Sequence, residues 1–104
     1  MGGYDYRAID DFIHSRVRLT IMSFLAAARS AEFTELKTQL KVSDGNLSTH
    51  LKKLEEAKYI TVSKQFSGKK PQTLVAISEK GDTAFQAYVE GLGAMIGLNK
   101  NKTD

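Results

Sequence analysis

Cysteine is absent from this 104-residue sequence, and histidine is nearly absent. Without cysteine the chain has no disulfide, no thiol nucleophile, no iron–sulfur cluster and no thiolate metal sensor. The two histidines, His14 and His50, are 36 positions apart, so a multi-histidine zinc site is not expected. The sequence therefore predicts no metal and no cofactor.

Long apolar runs are missing as well. No segment approaches the roughly 18 apolar residues that a membrane-spanning helix needs. The first five residues also lack the basic-then-apolar pattern of a signal peptide. The chain is 41% apolar and 26% charged, which is the balance of an ordinary globular domain with one core. We expect a single cytoplasmic domain over residues 1–104 and no membrane partner.

Recognisable catalytic patterns are a third absence. No serine lies in a G-x-S-x-G setting, and neither G-x-x-x-x-G-K-[ST] nor G-x-G-x-x-G occurs. The carboxylate pairs Asp10–Asp11 and Glu55–Glu56 are sequence neighbours, and such neighbours point apart on a helix. We therefore predict that the chain is not an enzyme.

Positive charge is concentrated in the middle of the chain. Residues 37–80 hold nine Lys/Arg against four Asp/Glu, whereas residues 1–36 hold four against five and residues 81–104 hold two against three. The formal net charge of +3 thus comes entirely from the middle segment. A basic segment between near-neutral flanks indicates a polyanion as partner. A solvated lysine face is the alternative.

Apolar residues recur at helical spacing in the first third of the chain. Ile9, Phe12 and Ile13 begin an N-terminal helical segment over 9–28, in which Ser15 is a candidate N-cap. After Ser15, the positions expected to face the core are Val17, Ile21, Phe24, Leu25 and Ala28. This pattern is typical of an amphipathic helix on the body of a domain.

A short helix, a tight corner and a longer helix are predicted over 33–58. Thr34 is a candidate N-cap of the first helix, because its hydroxyl can accept from an unpaired N–H of the first turn. Ser43 or Asp44 is expected to cap the second helix. The buried positions of that second helix are Leu47, Leu51 and Leu54. The spacing predicts a helix–turn–helix.

From Tyr59 onward the period of the apolar residues changes from helical to two. This predicts a β-hairpin over 59–77, with a loop at 67–72 in which Gly68 and Pro71 are typical turn residues. The tip of the hairpin is basic, because it carries Lys64, Lys69 and Lys70. We expect these lysines to contact phosphates or a minor groove. Lysines that serve solubility alone are the alternative.

A last helix is predicted over 78–97, with Ser78 as its N-cap. Its apolar positions form a seam of two heptads, namely Phe85, Tyr88, Val89, Leu92, Met95 and Ile96. Together with Ile9, Phe12 and Ile13, the seam offers more apolar surface than one small core readily hides. We interpret these residues as a dimer interface. Packing of the seam on its own domain is the alternative.

The helix predicted over 44–57 has an outward face that suits duplex DNA. A helix fits the major groove when one side is apolar and the other side forms hydrogen bonds. His50 borders the core, so we expect a packed or phosphate-contacting side chain rather than a pH switch. The predicted DNA-binding residues are Thr34, Ser43, Gly45, Asn46, Ser48, Thr49, His50, Lys52, Lys53, Lys64, Lys69 and Lys70. An ordinary polar helix surface is the alternative.

Two parts of the sequence resemble a known family. They are Leu47-Ser48-Thr49-His50-Leu51-Lys52-Lys53-Leu54 and, after the hairpin, Ile77-Ser78-Glu79-Lys80-Gly81. Both are similar to the winged helix–turn–helix transcriptional regulators of the MarR/ArsR type, in particular to a small stand-alone branch of them. The resemblance implies an α+β, mostly α fold with a three-helix core, a two-stranded β wing and a C-terminal dimerisation helix. In these regulators glycine usually stands at the position of Lys58.

The same resemblance implies a function. It implies a homodimer on a pseudo-palindromic operator, with recognition helix 44–57 in the major groove and wing residues 64–72 on the backbone or in the minor groove. We therefore expect a sequence-specific regulator that binds double-stranded DNA. A winged-helix module that binds another protein, without specific DNA binding, is the alternative. No residue pattern indicates a small-molecule effector.

Overall fold

A computed structural model describes residues 13–97 of the chain. Within this range the chain forms four helices and three strands in the order α1, β1, α2, α3, β2, β3, α4. The helices are α1 (Arg16–Ala28), α2 (Phe33–Leu40), α3 (Asp44–Glu56) and α4 (Glu79–Ile96). The strands are β1 (Ser30–Glu32), β2 (Ile60–Ser67) and β3 (Lys70–Ile77). The helices predicted over 33–58 and 78–97 and the hairpin are present. The segment predicted to be helical over 9–28 forms a helix only from Arg16, and residues 9–12 lie outside the described residues.

Serine side chains begin three of the four helices, as predicted. The Oγ of Ser15 accepts from the N–H of Arg18 (3.5 Å), that of Ser43 from Asn46 (3.1 Å), and that of Ser78 from Gly81 (2.9 Å). Each bond satisfies one N–H that the first turn of a helix leaves unpaired. Ser43, rather than Asp44, is the cap of α3.

The prediction that Thr34 caps α2 is wrong. The N-cap is Glu32, whose side chain makes no capping bond, and Thr34 lies inside the first turn. The hydroxyl of Thr34 instead donates to Oε2 of Glu32 at 3.5 Å. The reason is strand β1, which holds Glu32 in an extended conformation opposite Leu74 and so makes Glu32 the last residue before the helix.

The hairpin strands belong to a three-stranded antiparallel sheet with the order β1-β3-β2. The long pair runs from Ile60 opposite Ile77 to Ser67 opposite Lys70. Strand β1 adds three residues to the other edge of β3, and a strand this short carries no periodic signal. The α+β, mostly helical winged-helix fold is confirmed, and β1 is an addition to the predicted two-stranded wing.

The loop predicted at 67–72 is wrong, because only Gly68 and Lys69 connect the two strands. Gly68 has φ +66°, and glycine with positive φ at the first position of a two-residue turn is typical of type II′. Pro71 lies within β3, opposite Phe66. It is tolerated because β1 ends opposite Leu74, which leaves that edge of β3 unpaired at Pro71.

Helices α1, α2 and α3 bury their apolar sides against the sheet. The predicted leucines of α3 are all inside, with 0–4% of their surface exposed. The core cluster consists of Ile21, Met22, Leu25, Ala31, Leu36, Leu47, Leu51, Leu54, Ile60 and Val75. Complete burial of a leucine is worth about 2 kcal/mol, so the three leucines of α3 strongly favour one rotational setting of that helix.

Basic residues with positive φ follow three of the helices. These residues are Arg29 (φ 73°), Lys41 (φ 57°) and Lys58 (φ 67°). After α3, the N–H of Lys58 donates to the carbonyl of Glu55 (2.9 Å) and that of Tyr59 to the carbonyl of Leu54 (3.0 Å). This is the Schellman pattern, so the corner between α3 and β2 forms with lysine where glycine is usual.

A close joint connects this corner to the start of α4. Ser78 donates from Oγ to the carbonyl of Lys58 (2.6 Å) and from N–H to the carbonyl of Tyr59 (2.9 Å). A Cβ at Gly81 would lie 2.8 Å from the carbonyl carbon of Tyr59 and closer still to the oxygen. The resemblance motif Ile77–Gly81 therefore has a packing reason, since serine caps α4 and glycine lets it approach the wing.

The apolar seam of α4 divides between the inside and the outside of the chain. Tyr88 is 2% exposed and Ile13 is 0% exposed, so these two side chains have no surface left for a second chain. This corrects their assignment to a dimer interface. Val89 (49%) and Ile96 (59%) are exposed, and the partly buried members of the seam are Phe85, Leu92 and Met95. Ile9 and Phe12 lie outside the described residues.

Tyr88 is held by a contact from the segment before α1. Nδ1 of His14 lies 2.8 Å from the hydroxyl of Tyr88, and the two rings are tilted with centroids 5.8 Å apart. The polar end of a buried tyrosine is therefore satisfied within the chain.

None of the helices described over residues 13–97 combines the length and the apolar character of a membrane span.

Replacing Gly81 with alanine is expected to destabilise the fold by about 2 kcal/mol, because the added Cβ collides with backbone rather than with a flexible side chain. Thermal unfolding measures the loss, which should lower Tm by roughly 10 °C. Gly45→Ala is the matched control, since Gly45 is also helical and a Cβ there meets nothing within 4 Å. An equal effect of the two substitutions would contradict the joint.

Candidate nucleic-acid interface

The outer side of α3 carries most of the predicted recognition residues. Opposite the buried leucines, the exposed residues are Gly45, Asn46, Ser48, Thr49, Lys52 and Lys53. The hydroxyl of Thr49 donates to the carbonyl of Gly45 at 2.9 Å, which leaves its oxygen as an acceptor. The amide of Asn46 and the hydroxyl of Ser48 are both donors and acceptors. The helix thus presents hydrogen-bonding groups in its first half and cations in its second half.

The orientation of α3 relative to α2 is set by a three-residue corner. Lys41 is left-handed (φ 57°, ψ 46°), and its N–H donates to the carbonyl of Lys37 at 2.9 Å. Across the corner, Nζ of Lys37 lies 2.7 Å from Oδ1 of Asp44. Both side chains are well exposed, so this ion pair adds little stability. Its carboxylate lies at the positive end of the α3 dipole.

A cleft of about 350 Å³ lies between α3 and the wing. Ser48, Lys52 and Glu55 line it from α3, and Val62 and Lys64 line it from β2. Its presence shows that the polar side of α3 and one face of the hairpin border the same surface. The structure therefore brings the predicted recognition helix and the predicted wing together.

Every charged side chain of the wing is positively charged. Residues 57–78 contain four lysines and no Asp or Glu. Lys64, Lys69 and Lys70 are all exposed. Two carboxylates from other elements border the strand pair: Glu32 accepts from Nε2 of Gln72 at 2.9 Å, and Glu55 of α3 lines the cleft that Lys64 also lines. An unbroken positive surface of this kind attracts polyanions.

Thr34 and Ser43 are placed differently from the α3 row. Thr34 is exposed at the start of α2 and lines a small cavity of about 210 Å³ that Lys70 and Pro71 of the wing also line. Its hydroxyl proton is directed to Glu32. Ser43 is exposed, and its oxygen accepts from the N–H of Asn46 as the helix cap. Both lie at helix starts that border the recognition surface.

His50 is half-buried and is held by an arginine from another helix. Nη1 of Arg18 lies 3.0 Å from Nδ1 of His50, and arginine has only donors, so Nδ1 accepts and the imidazole proton is on Nε2. Burial lowers the pKa of His50, and the positive charges of Arg18 and Lys53 lower it further. The side chain is therefore a neutral packing element between α1 and α3 at neutral pH.

Another ion pair connects the end of α1 to the start of α4. Nη1 and Nη2 of Arg29 donate to Oδ1 and Oδ2 of Asp82 at 3.2 and 3.3 Å. The hydrogen bond from Arg29 holds the pKa of Asp82 below its ordinary value.

Within the described residues, no group of three or more histidines, aspartates and glutamates is arranged to hold a metal ion.

Sequence reasoning missed two residues of this region. Arg18 contacts His50 across 32 positions, and no local pattern links them. Phe66 is assigned to a strand by its spacing, but the structure leaves 73% of its side chain exposed at the end of the wing. The low polarity of the residue predicts burial, and only the length of the hairpin beyond the core reveals the opposite.

This arrangement of a recognition-type helix beside a cationic β-hairpin is that of the winged-helix proteins. A family model described as "Winged helix DNA-binding domain" matches residues 17–96, and the chain belongs to this family. A curated relative, an uncharacterized protein of Methanocaldococcus jannaschii, is 38% identical over 88 residues. These residues make up 85% of this chain and 92% of that protein.

Solved structures share the fold. The transcriptional regulator homologue protein from Pyrococcus horikoshii OT3 has a TM-score of 0.85 and 28% identity, and the match covers 93% of this chain and 96% of that one. The zinc-responsive MarR family member ZitR of Lactococcus lactis has a TM-score of 0.62 and 21% identity, and the match covers 84% and 59%. The chain therefore shares the winged-helix fold of this MarR family member. The family is that of winged-helix DNA-binding domains.

The lowered pKa of His50 makes a prediction for stability against pH. The unfolded chain takes up a proton near the ordinary pKa of about 6.5, and the folded chain only at lower pH. The free energy of unfolding should therefore fall as the pH drops below about 6.5. In His50→Asn, whose side-chain oxygen can still accept from Arg18, this part of the decline should disappear. Urea unfolding at a series of pH values measures both proteins, and superimposable profiles would show that His50 makes no such contribution.

Proposed function

We propose that this protein is a cytoplasmic, homodimeric transcriptional regulator that binds double-stranded DNA in a sequence-specific manner. In this proposal α3 enters the major groove, and wing residues 64–72 lie on the backbone or in the minor groove. The observation that carries the proposal is the exposed polar row of α3 beside a wing without a carboxylate. The regulator homologue of Pyrococcus horikoshii, similar over nearly the whole of both chains, supports the same role.

The chemistry of α3 assigns different tasks to its two halves. The amide of Asn46 can pair with adenine in two hydrogen bonds, and Ser48 and Thr49 can bond to more than one base edge. Gly45 has open space around its Cα, so a phosphate or sugar can approach the helix start closely. Lys52 and Lys53, one to two turns further on, neutralise phosphates. We assign base reading to the first half and positioning to the second.

The wing and the helix starts complete the proposed DNA surface. Lys64, Lys69 and Lys70 neutralise phosphates that flank the recognised bases. Thr34 and Ser43 contribute polar contacts at its edge. His50 supports the surface from behind, since its bond to Arg18 positions the middle of α3.

Dimerisation is assigned to the exposed side of α4. Val89 and Ile96 are seven residues apart, about two helical turns, and so lie on one face. Phe85, Leu92 and Met95 are only partly buried beside them. A two-fold dimer of this kind recognises a pseudo-palindrome whose half-sites are about one or more helical turns apart.

The function is tested by selecting bound duplexes from a random pool at physiological salt. We expect a two-half-site consensus with half-site centres about 10 bp apart or at a multiple of that spacing. On the selected duplex, log K should fall linearly with log salt concentration. The double variant Lys52→Ala/Lys53→Ala removes four phosphate contacts from the dimer, two in each protomer, and should reduce the slope by about four.

Lys80→Ala is the control for this measurement. Lys80 is a cation of α4, and its Nζ lies 5.6 Å from the centre of the Tyr59 ring, away from the α3 row. It should leave the salt slope unchanged. Weak binding without a consensus, together with a protein partner that binds the α4 face, would favour the alternative of a protein-interaction module.

The dimer is tested with glutamate on the exposed side of α4. Val89→Glu/Ile96→Glu should give a monomer in sedimentation equilibrium, because unpaired charges in an apolar interface are costly. Ala94→Glu is the matched control, since Ala94 is exposed on the opposite side of the same helix. A native protein that is monomeric at micromolar concentration would refute the assignment.

A further inference from the structure

Phe66 is the most exposed large hydrophobic side chain of the described residues. It is 73% exposed, whereas Val89 and Ile96 on α4 are 49% and 59% exposed. An aromatic ring in water is unfavourable by the free energy that its burial would release. A phenylalanine at the end of a β-hairpin therefore points to a partner that covers it.

The register of the hairpin places Phe66 on the face that borders the cleft with α3. Side chains alternate along a strand, so Ile60, Val62, Lys64 and Phe66 share one face. Val62 and Lys64 line the cleft together with residues of α3. Phe66 lies two residues beyond Lys64, about 7 Å further along the strand. A molecule that binds against α3 and Lys64 and extends along the strand therefore contacts Phe66.

The residue opposite Phe66 is also apolar. Phe66 pairs with Pro71, and paired residues of an antiparallel ladder lie side by side on one face. The end of the wing thus carries a small apolar wedge, defined as Phe66 and Pro71. The two-residue turn at Gly68 and Lys69 closes the ladder one residue pair beyond the wedge, after Ser67 and Lys70.

The charges around the wedge select its partner. Lys64, Lys69 and Lys70 surround it, and residues 57–78 contain no Asp or Glu. The partner is therefore anionic and also offers apolar surface to an aromatic ring. The DNA minor groove meets both requirements, because phosphates line its rims and sugars and base stacks form its walls and floor.

The length of the wing fits this partner as well. Beyond Val62, strand β2 continues for five residues, about 16 Å. This length is comparable to half a turn of the duplex, roughly 17 Å, which separates a major groove from the adjacent minor groove. With α3 in the major groove, the end of the wing reaches the neighbouring minor groove.

We infer that Phe66, supported by Pro71, inserts partly between two base pairs in the minor groove beside the groove that α3 occupies, and thereby bends the duplex. Apolar side chains that enter a base step from the minor groove unstack it and kink the helix axis. The cost of unstacking is least at flexible steps such as TA and CA/TG. Phe66 would then add sequence preference at positions that no polar group reads. This inference rests on the proposed function.

The experiment uses the duplex recovered from the random pool, with 2-aminopurine at the minor-groove step that hydroxyl-radical footprinting assigns to the wing. We expect the native protein to raise the 2-aminopurine fluorescence and to shorten the end-to-end distance measured by energy transfer. Phe66→Ala removes one wedge from each protomer of the dimer, so it should bind about 100-fold more weakly, about tenfold for each wedge, and lose both signals. Phe66→Leu, which retains an apolar wedge, should keep most of the bend.

Gln65→Ala is the matched control, since Gln65 is exposed on the same strand but on the opposite face. It should bind and bend the duplex like the native protein. Thermal unfolding confirms that each variant is folded, and the exposure of Phe66 predicts little change in Tm.

The remaining outcomes separate this inference from the proposed function. If native protein and Phe66→Ala bind and bend the duplex equally, the inference is wrong and the proposed function stands. If Gln65→Ala reduces DNA affinity and DNA bending as much as Phe66→Ala does, the effect arises from the wing as a whole. The assignment of Phe66 as an inserted wedge is then wrong. If the native protein binds no duplex, both fail. Binding to vesicles of acidic phospholipid that depends on Phe66, without any effect on DNA bending, would assign the wedge to a membrane surface and overturn the inference.

Discussion

The burial of three leucines on one side of α3 is the constraint on which the recognition surface depends. Turning the helix by one residue, about 100°, would move leucines into water and carry Asn46 or Lys52 toward the core. Several kilocalories per mole oppose such a rotation. The same contacts that stabilise the core therefore determine which groups of α3 are available to a partner, and no separate device is needed to orient them.

The contacts of Ser78 connect α3 and the wing to α4. One serine caps α4 and also donates to the carbonyls of Lys58 and Tyr59, at the corner where α3 passes into the wing. Gly81 permits the close approach that these bonds require. The recognition helix, the wing and the last helix thus meet at four residues, namely Lys58, Tyr59, Ser78 and Gly81. These contacts hold the start of α4 against the base of the wing.

The sequence predicts much of this fold because its signals are local. Leucine spacing and serine caps define α3 and α4, and the outward side of α3 follows from the same spacing. Strand β1 is too short to show a period, and its pairing with β3 moves the N-cap of α2 from Thr34 to Glu32. Long-range contacts decide the remainder, including the bond from Arg18 to His50 and the burial of Tyr88. Such contacts leave no trace in periodicity.

The residues with positive φ after α1, α2 and α3 have a cost and a compensation. Arg29, Lys41 and Lys58 each accept backbone strain that glycine would avoid, of order 1 kcal/mol. In return, each basic residue follows the C-terminus of a helix, where positive charge is favourable. Lys41 and Lys58 also add to the positive field of the domain, whereas the charge of Arg29 is paired with Asp82. Glycine at these corners would relax the backbone and weaken that field. At Lys41 and Lys58, a substitution that relaxes the backbone therefore also weakens the attraction for a polyanion.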